Sequence, residues 1–402
     1  MASSAFAADP QEPADGYQWS GFYVGFGGGA GAIVHQLDIP ILAGASFNGI
    51  GGEGVFGELT IGYDHVFNDR YLLGVMIDGR LSTIATRLNV PGIVKGALEA
   101  DYGFDVVARA GYLINPRTLG YVLGGYSWQH FDITSNLTGS LFTWDSSGFT
   151  VGAGLETAVS DRMTMKAEYR YSQYAGQDFG LPGIVDLIPS THTVHVGLNY
   201  RFNGNGAAPA SFASADRDWT GFYAMAGVGA GAVVHEVNIP ILLGTTFNGI
   251  GGEGIFGELG VGYDREFSGG WVAGVQVSGR LASTATTLSV AGFNGSVDAD
   301  YGVDAVVRVG KKMDGSTLAY VLGGWSMQHF DVTSNLTGSV YKWTGNGFTV
   351  GAGLETAMSD RLAVGLEYRY SGYEGENFGL PGIVEVNPSS HAVRLNLKYK
   401  AF

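Results

Sequence analysis

Two short motifs, one in each half of the chain, place a serine and a histidine two positions apart. They are Ser190-Thr191-His192 and Ser389-Ser390-His391. Residues two apart on a strand point to the same face, so each pair could supply a nucleophile and a general base for acyl transfer. No acidic residue stands close by in the sequence to orient the histidine. We therefore expect histidines at strand ends, no catalytic residues and a protein that is not an enzyme.

Two other patterns resemble ligand sites. The glycine-rich segment 25–31 looks like a phosphate-binding loop, but no helical pattern follows it. We expect instead that its glycines let a first strand bend. The histidines at 35, 130 and 192 recur at 235, 329 and 391, but their spacings match no metal-ligand motif. The sequence predicts neither a metal nor a cofactor.

The composition of the 402-residue chain excludes further classes of protein. A net charge of −15 offers no basic surface for nucleic acid. The absence of cysteine excludes a disulfide framework and a thiolate metal site. No stretch approaches the roughly 18 consecutive apolar residues of a membrane helix, so a membrane protein of this sequence must cross with strands.

A long internal repeat organises the chain. Trp19-Ser-Gly-Phe-Tyr23 returns as Trp219-Thr-Gly-Phe-Tyr223, and the match continues to the end at an offset of 200 and later 199 residues. A period this long predicts two complete folding units. We place them at residues 17–202 and 219–402.

Two segments lie outside these units. Residues 203–218 are rich in Gly, Ala, Ser and Pro, which predicts a periplasmic linker. Residues 1–16 contain the small-residue pattern Ala5-x-Ala7 and are predicted to be the remnant of a signal peptide.

Alternation of apolar and polar residues predicts eight strands in each repeat. Between residues 101 and 112, for example, Tyr102 and Phe104 face one side and Arg109 the other. The predicted connections are short at 68–70, 115–117 and 160–162, and long near 35–54, 86–98, 132–146 and 175–190. Aromatic residues cluster at the predicted strand ends: Trp19, Tyr71, Tyr112, Trp128, Trp144, Tyr171 and Tyr200. Aromatic girdles and connections that alternate in length are typical of membrane β-barrels.

The motifs at the two ends of the first repeat carry a family resemblance. The opening Trp-x-Gly-Phe-Tyr with its glycines, the eight strands and the closing Asn199-Tyr200-Arg201-Phe202 resemble the small, porin-like outer-membrane barrel proteins of alphaproteobacteria. These proteins are distant relatives of the OmpA transmembrane domain. The resemblance covers both repeats and implies an outer-membrane location, with outer-membrane lipids and lipopolysaccharide as partners. It also implies that the barrel-assembly machinery recognises the terminal aromatic Phe402.

The predicted fold is all-β, an antiparallel transmembrane β-barrel protein made of two tandem eight-stranded barrels. The alternative is one 16-stranded barrel, whose width leaves an aqueous channel. In a small barrel the inward charges must be paired. Asp78 and Lys166 of the first repeat are replaced by Ser278 and Gly365 in the second, and this joint loss of an acid and a base favours a dry, paired interior. The predicted lumenal charge network comprises Glu58, Asp78, Arg80, Asp101, Asp105, Arg109, Glu156, Lys166, Glu168, Arg170, Glu258, Arg280, Asp300, Asp304, Arg308, Glu355, Glu367 and Arg369.

The predicted outer loops are unusually apolar for exposed segments. Contiguous exposed apolar surface often marks a binding site, although these loops could also pack on one another as extended hairpins. The candidate interaction surface comprises Ile39, Ile41, Leu42, Phe47, Phe179, Leu181, Ile239, Ile241, Leu242, Phe247, Phe378 and Leu380. We therefore predict a structural or surface-interaction protein that binds a surface ligand through its loops, with a porin-like channel for small solutes as the alternative.

Overall fold

The computed structural model describes residues 17–42, 44–202, 217–379 and 381–401, which form sixteen antiparallel strands. The strands of the first repeat are β1 (Gly21–Ile39), β2 (Ala45–Phe67), β3 (Tyr71–Val90), β4 (Val94–Asn115), β5 (Thr118–Ser135), β6 (Gly139–Ala158), β7 (Met163–Tyr174) and β8 (Asp186–Arg201). Those of the second are β9 (Gly221–Ile239), β10 (Thr245–Phe267), β11 (Trp271–Val290), β12 (Phe293–Lys312), β13 (Thr317–Ser334), β14 (Gly338–Ala357), β15 (Leu362–Tyr373) and β16 (Glu385–Lys400). The all-β prediction is confirmed.

Some predictions fall on residues outside the described ranges. These are the signal-peptide remnant at 1–16, most of the linker at 203–218, Leu380 and the terminal Phe402. Within the described part of the chain, no helix is long and apolar enough to cross a membrane.

Strand pairing is extensive within each repeat. Neighbouring strands pair as antiparallel hairpins, and the first and last strands of a repeat also pair with each other. The β1–β8 ladder runs from Tyr23 opposite Arg201 to Asp38 opposite Asp186. The β9–β16 ladder runs over the equivalent strands of the second repeat. Both ends of each repeat are therefore hydrogen-bonded to one another.

Short ladders also join the two repeats at their outer ends. Residues 46–48 of β2 pair with residues 287–289 of β11, and Thr246 and Phe247 of β10 pair with Asn89 and Leu88 of β3. Through these pairs one ring can be traced around all sixteen strands. The β2–β3 ladder inside the first repeat is much longer, because it continues down to Phe67 opposite Tyr71.

Glycines bring β1 close to β8. A Cβ atom placed on Gly29 would overlap the backbone carbonyl oxygen of Val194, and one on Gly27 would lie 2.5 Å from that of Val196. The glycines of the 25–31 segment therefore lie within strand β1 and permit its close approach to β8.

The side-chain distribution is inverted relative to a water-soluble protein. Large aliphatic side chains point outward, and Leu59, Leu81 and Leu281 are 71%, 73% and 75% exposed. Charged side chains point inward, and Arg170 and Glu156 are fully buried. An apolar outer band around a polar interior is the arrangement that a bilayer requires of a β-barrel.

The predicted long loops are mostly strand. β1 continues to Ile39 and β2 begins at Ala45, so both extend into the predicted 35–54 loop, and the next two outer hairpins turn at 91–93 and 136–138. Only the last outer connection of the first repeat, at 175–185, is long. Gly92 and Gly139 close two of these hairpins with positive φ.

Candidate functional site

Charged side chains fill the middle of the first repeat. Arg109 on β4 donates to Asp64 on β2 (Nε to Oδ1, 2.9 Å) and to Glu156 on β6 (Nη1 to Oε2, 2.7 Å). Arg201 on β8 donates to the same Asp64 at 2.6 Å. All four side chains are buried, so the carboxylates are neutralised by cations from strands that are not their neighbours.

A second layer of charges lies next to it. Arg170 Nη1 lies 2.7 Å from both Asp78 and Asp105, and its Nε donates to Glu168. Arg80 also pairs with Asp105, at 2.9 Å. Each carboxylate in this layer therefore has a guanidinium partner, as a buried charge requires.

Glu58 completes the interior of the first repeat. Its Oε1 lies 2.9 Å from Nζ of Lys166, and its Oε2 lies 2.7 Å from Nδ1 of His195. Asp78 and Lys166, which are both absent from the second repeat, thus have different direct partners in the first repeat.

The buried charges of the second repeat are also paired, but partly by different residues. Arg308 binds Asp264 and Glu355, while Arg369 binds Glu367 and Asp304. Arg280 and Arg394 also bind Asp304, Arg394 reaches Glu258, and Lys398 binds Glu355 at 2.8 Å. Arg394 and Lys398 occupy the positions of His195 and Asn199, so cations on β16 replace the lost Lys166.

Two predicted members lie outside this network. Asp300 pairs with the partly exposed His329 (2.8 Å), and Asp101 Oδ1 accepts the backbone N–H of Tyr102. Both lie within a break in strand register, between Ala100 and Gly103 in the first repeat and between Ala299 and Gly302 in the second. The bulge turns the side chain away from the interior, which simple alternation does not anticipate.

The network also has members that the sequence did not predict. These are His195, Arg201, Asp264, Arg394 and Lys398. Most lie on the inward face of a final strand, and the alternation in β8 and β16 was a signal that could have found them.

Aromatic side chains fill the short-turn end of each interior. Trp19 packs against Tyr17 with ring centres 5.0 Å apart, and its indole N–H donates to the carbonyl oxygen of Pro116 at 3.2 Å. The guanidinium of Arg201 lies over the Trp19 ring. In the second repeat Arg217 covers Trp219 in the same way. Trp19 is fully buried, so its predicted place in an aromatic girdle is wrong.

Another aromatic cluster fills the opposite end. Phe131 stacks on Trp144 with ring centres 4.9 Å apart, and Phe179 packs edge-on against Trp144. Phe330, Trp343 and Phe378 repeat this arrangement. Trp144 is buried and is no girdle residue, whereas Tyr71, Tyr112 and Tyr200 are exposed.

The predicted loop surface separates into two groups. One group is exposed and consists of Ile41, Leu42, Leu181, Ile241 and Leu242. The other is half-buried and consists of Ile39, Phe47, Phe179, Ile239, Phe247 and Phe378. Phe179 and Phe378 cover the aromatic clusters, and Phe47 and Phe247 lie where the repeats pair. The large aromatics of these segments thus pack, and the aliphatic tips remain available.

Reciprocal polar clusters join the repeats near their outer ends. Glu253 of the second repeat accepts a hydrogen bond from Ser190 Oγ (2.9 Å) and lies 2.8 Å from Nε2 of His192. The same contacts recur with the repeats exchanged, at 3.0 and 2.8 Å, between Glu53 and the pair Ser389 and His391. The acidic partner that the sequence motif lacked is supplied by the other repeat.

The geometry of these clusters does not suit nucleophilic catalysis. Ser190 and His192 contact the same oxygen of Glu253, and the other ring nitrogen of His192 faces the hydroxyl of Tyr169 at 2.7 Å. The histidine is therefore not placed to take the serine proton. Across the described residues, no group of three or more His, Asp or Glu side chains could hold a metal ion.

Apolar packing continues the contact between the repeats toward the short-turn end. Leu155 and Val194 of the first repeat cluster with Leu354, Leu366 and Val393 of the second. At the short-turn end the hydroxyls of Thr118 and Thr317, which are equivalent residues, lie 2.9 Å apart. The contact is therefore nearly symmetric between the two repeats.

An antiparallel ring of strands with an apolar exterior and a charged interior defines an outer-membrane β-barrel protein. A family model described as "Outer membrane protein beta-barrel domain" matches residues 1–202 and again residues 206–400. The chain belongs to this family, carries its domain twice and is a protein of the outer membrane. The predicted family resemblance and location are confirmed.

Outer-membrane proteins of Brucella and Rhizobium are similar in sequence to this chain. The 31 kDa outer-membrane immunogenic protein of Brucella melitensis is 29% identical over 240 residues, which cover 50% of this chain and 95% of that protein. The 25 kDa outer-membrane immunogenic protein of Brucella canis is 35% identical over 112 residues, or 27% of this chain and 51% of that protein. The 22 kDa outer membrane protein of Rhizobium leguminosarum is 32% identical over 117 residues, with 27% and 52% covered.

Two solved structures are weakly similar. Neisserial surface protein A is 20% identical with a TM-score of 0.29, over 46% of this chain and 98% of that one. The toluene transporter TodX of P. putida is 11% identical with a TM-score of 0.29, over 94% and 90%. Neither likeness bears on function.

Proposed function

We propose that the protein is two closed eight-stranded barrels, packed side by side in the outer membrane, with a structural and surface-interaction role. The observation that carries this proposal is the ion-paired interior of each repeat. Arg109 and Arg170, with their carboxylate partners, occupy the space through which a solute would pass. Aromatic rings also close both ends of each interior, so a partner can bind only at the outer surface.

The length of the ladders supports two barrels over one. A 16-stranded barrel requires the repeats to be joined along whole strands, but β2–β11 and β3–β10 pair at only three and two positions. The β1–β8 and β9–β16 ladders instead extend along almost the full strands. The channel function for small solutes depends on the wide barrel and is the less supported alternative.

The absence of a pore is testable by conductance. Purified full-length protein in planar lipid bilayers is expected to give no large, long-lived ohmic current steps. The variant Trp144→Ala/Trp343→Ala, which removes one ring from each outer aromatic cluster, should also give no large current steps, since the charged layers remain. Large, stable steps from the unaltered protein would contradict the closed-barrel proposal and favour the 16-stranded channel.

The surface role is testable at the exposed hairpin tips. Replacement of Ile41, Leu42, Ile241 and Leu242 by serine should reduce the retention of outer-membrane vesicles on phenyl-bearing beads by about tenfold or more. The burial of even one such side chain against an apolar surface contributes about 1.5–3 kcal/mol to the free energy of binding. The conservative change Thr143→Ser, at an exposed position of a neighbouring hairpin, should have no effect. Equal retention of both variants would show that the tips do not form an interaction surface.

A further inference from the structure

Two apolar grooves open between the repeats. The groove formed mostly by the second repeat, called the second groove, has a volume of about 370 Å³. It lies between Met165 and Val194 of the first repeat and Val309, Tyr320 and Leu354 of the second. The groove formed mostly by the first repeat, called the first groove, has a volume of about 410 Å³ and is lined by the equivalent residues with the repeats exchanged, including Ala110, Tyr121, Leu155, Val364 and Leu395. Both volumes fall within the roughly 300–1,000 Å³ range of small-molecule sites. The pair thus follows from the near-symmetric contact of the repeats.

Their position assigns the grooves to one leaflet. Trp271 begins β11, and Lys311 is the second-last residue of β12, so the second groove lies at the short-turn end of the strands. Tyr112 and Ile114 place the first groove at the same end. Short turns of this family face the periplasm. Both grooves therefore open toward the inner leaflet, which consists of phospholipid rather than lipopolysaccharide.

Each groove has a cation at its periplasmic rim, but from a different position. In the second groove, Lys311 Nζ lies 5.2 Å from the centre of the Trp271 ring, donates to the carbonyl oxygen of Gly269, and pairs with no carboxylate among the described residues. In the first groove, Tyr112 stands where Lys311 does, and its hydroxyl accepts a hydrogen bond from Arg70 at 2.6 Å. The second repeat has Gly270 in place of Arg70.

We propose that each groove binds one acyl chain of an inner-leaflet phospholipid, with the phosphate at Lys311 or Arg70. The apolar lining suits a hydrocarbon chain, and an amphipathic cation beside an aromatic ring suits a phosphate at the interface. Phospholipid would then act as a filler that completes the packing of one barrel against the other. This proposal rests on the two-barrel arrangement of the proposed function.

Native mass spectrometry of the full-length protein with dioleoylphosphatidylglycerol tests it. The unaltered protein should retain two lipids. Ala352→Trp, in the second groove, should lose one of them, and Ala153→Trp/Ala352→Trp should lose both. Ala108→Trp, on the lipid-facing side outside the grooves, is the matched control and should retain two. Equal retention by all these variants, with heat-resistant folding intact, would overturn the proposal.

The headgroup contact is tested separately. Lys311→Ala should weaken phosphatidylglycerol binding at the second groove about tenfold, the loss of one charge-assisted contact. The first groove should be unaffected, so that one of two lipids is lost preferentially. Unchanged affinity at both grooves would overturn the assignment of Lys311 as the phosphate partner.

A disulfide distinguishes failure of this proposal from failure of the two-barrel arrangement. The chain contains no cysteine, and the hydroxyls of Thr118 and Thr317 are 2.9 Å apart. Thr118→Cys/Thr317→Cys should therefore cross-link on oxidation, seen as a mobility shift reversed by reductant. A cross-link without lipid retention would overturn the lipid site alone, whereas no cross-link would overturn the side-by-side packing together with it.

Discussion

Arg109→Met is expected to lower the free energy of unfolding by about 3–5 kcal/mol, the usual cost of removing one partner from a buried ion pair. The substitution leaves Asp64 and Glu156 in a water-poor interior with only Arg201 to neutralise them. The loss is measurable by guanidinium unfolding of the full-length protein in detergent micelles, with tryptophan fluorescence as the signal.

Two further variants separate charge from packing. Arg109→Met/Glu156→Gln should recover part of the lost stability, because one uncompensated carboxylate is gone. Lys95→Met, at an exposed outer hairpin, should change stability by less than about 0.5 kcal/mol. A loss below about 1 kcal/mol for Arg109→Met would mean that water solvates the interior, as a wide channel would allow.

Gly29→Ala is expected to destabilise the first repeat by about 1–3 kcal/mol, the usual cost of forcing an extra group into a packed site. The new methyl group would overlap the carbonyl oxygen of Val194 and the Phe56 ring. Because the carbonyl belongs to the backbone of β8, only a displacement of that strand relieves the overlap. Thermal unfolding followed by circular dichroism measures the effect, at about 2–4 °C of Tm for each kcal/mol.

Gly79→Ala is the matched control for this change. Gly79 lies in β3, and a Cβ there would meet no atom within 4 Å, so its Tm should be unchanged or slightly raised. If Gly29→Ala were tolerated equally well, β1 would not lie against β8. The 16-stranded arrangement would then be the better description.

Local alternation was sufficient to predict which face of a strand points inward. In β4, Asp105 and Arg109 are buried, while Tyr102, Phe104 and Val106 are exposed, as their period of two indicates. The number of strands was predicted in the same way, from the eight alternating segments in each repeat. Such predictions succeed because side-chain direction in a strand depends only on position along that strand.

Contacts across the interior could not be predicted in this way. Arg109 binds carboxylates 45 and 47 residues away, and those pairings depend on the tilt and stagger of the whole ring. Asp101 was misplaced because a bulge shifts the register just beside it. Glu53 and His391, 338 residues apart, meet only after two folded repeats pack together.

The reciprocal contacts of Glu53 and Glu253 also limit how the protein assembles. Each repeat presents the same patch to the other, so the pairing is isologous and is complete after two copies. Both copies belong to one polypeptide, and the point-group symmetry of a dimer is thereby satisfied within a single chain. Neither patch remains to recruit a third copy. This surface therefore cannot join one polypeptide to another, whatever the concentration of the protein in the membrane.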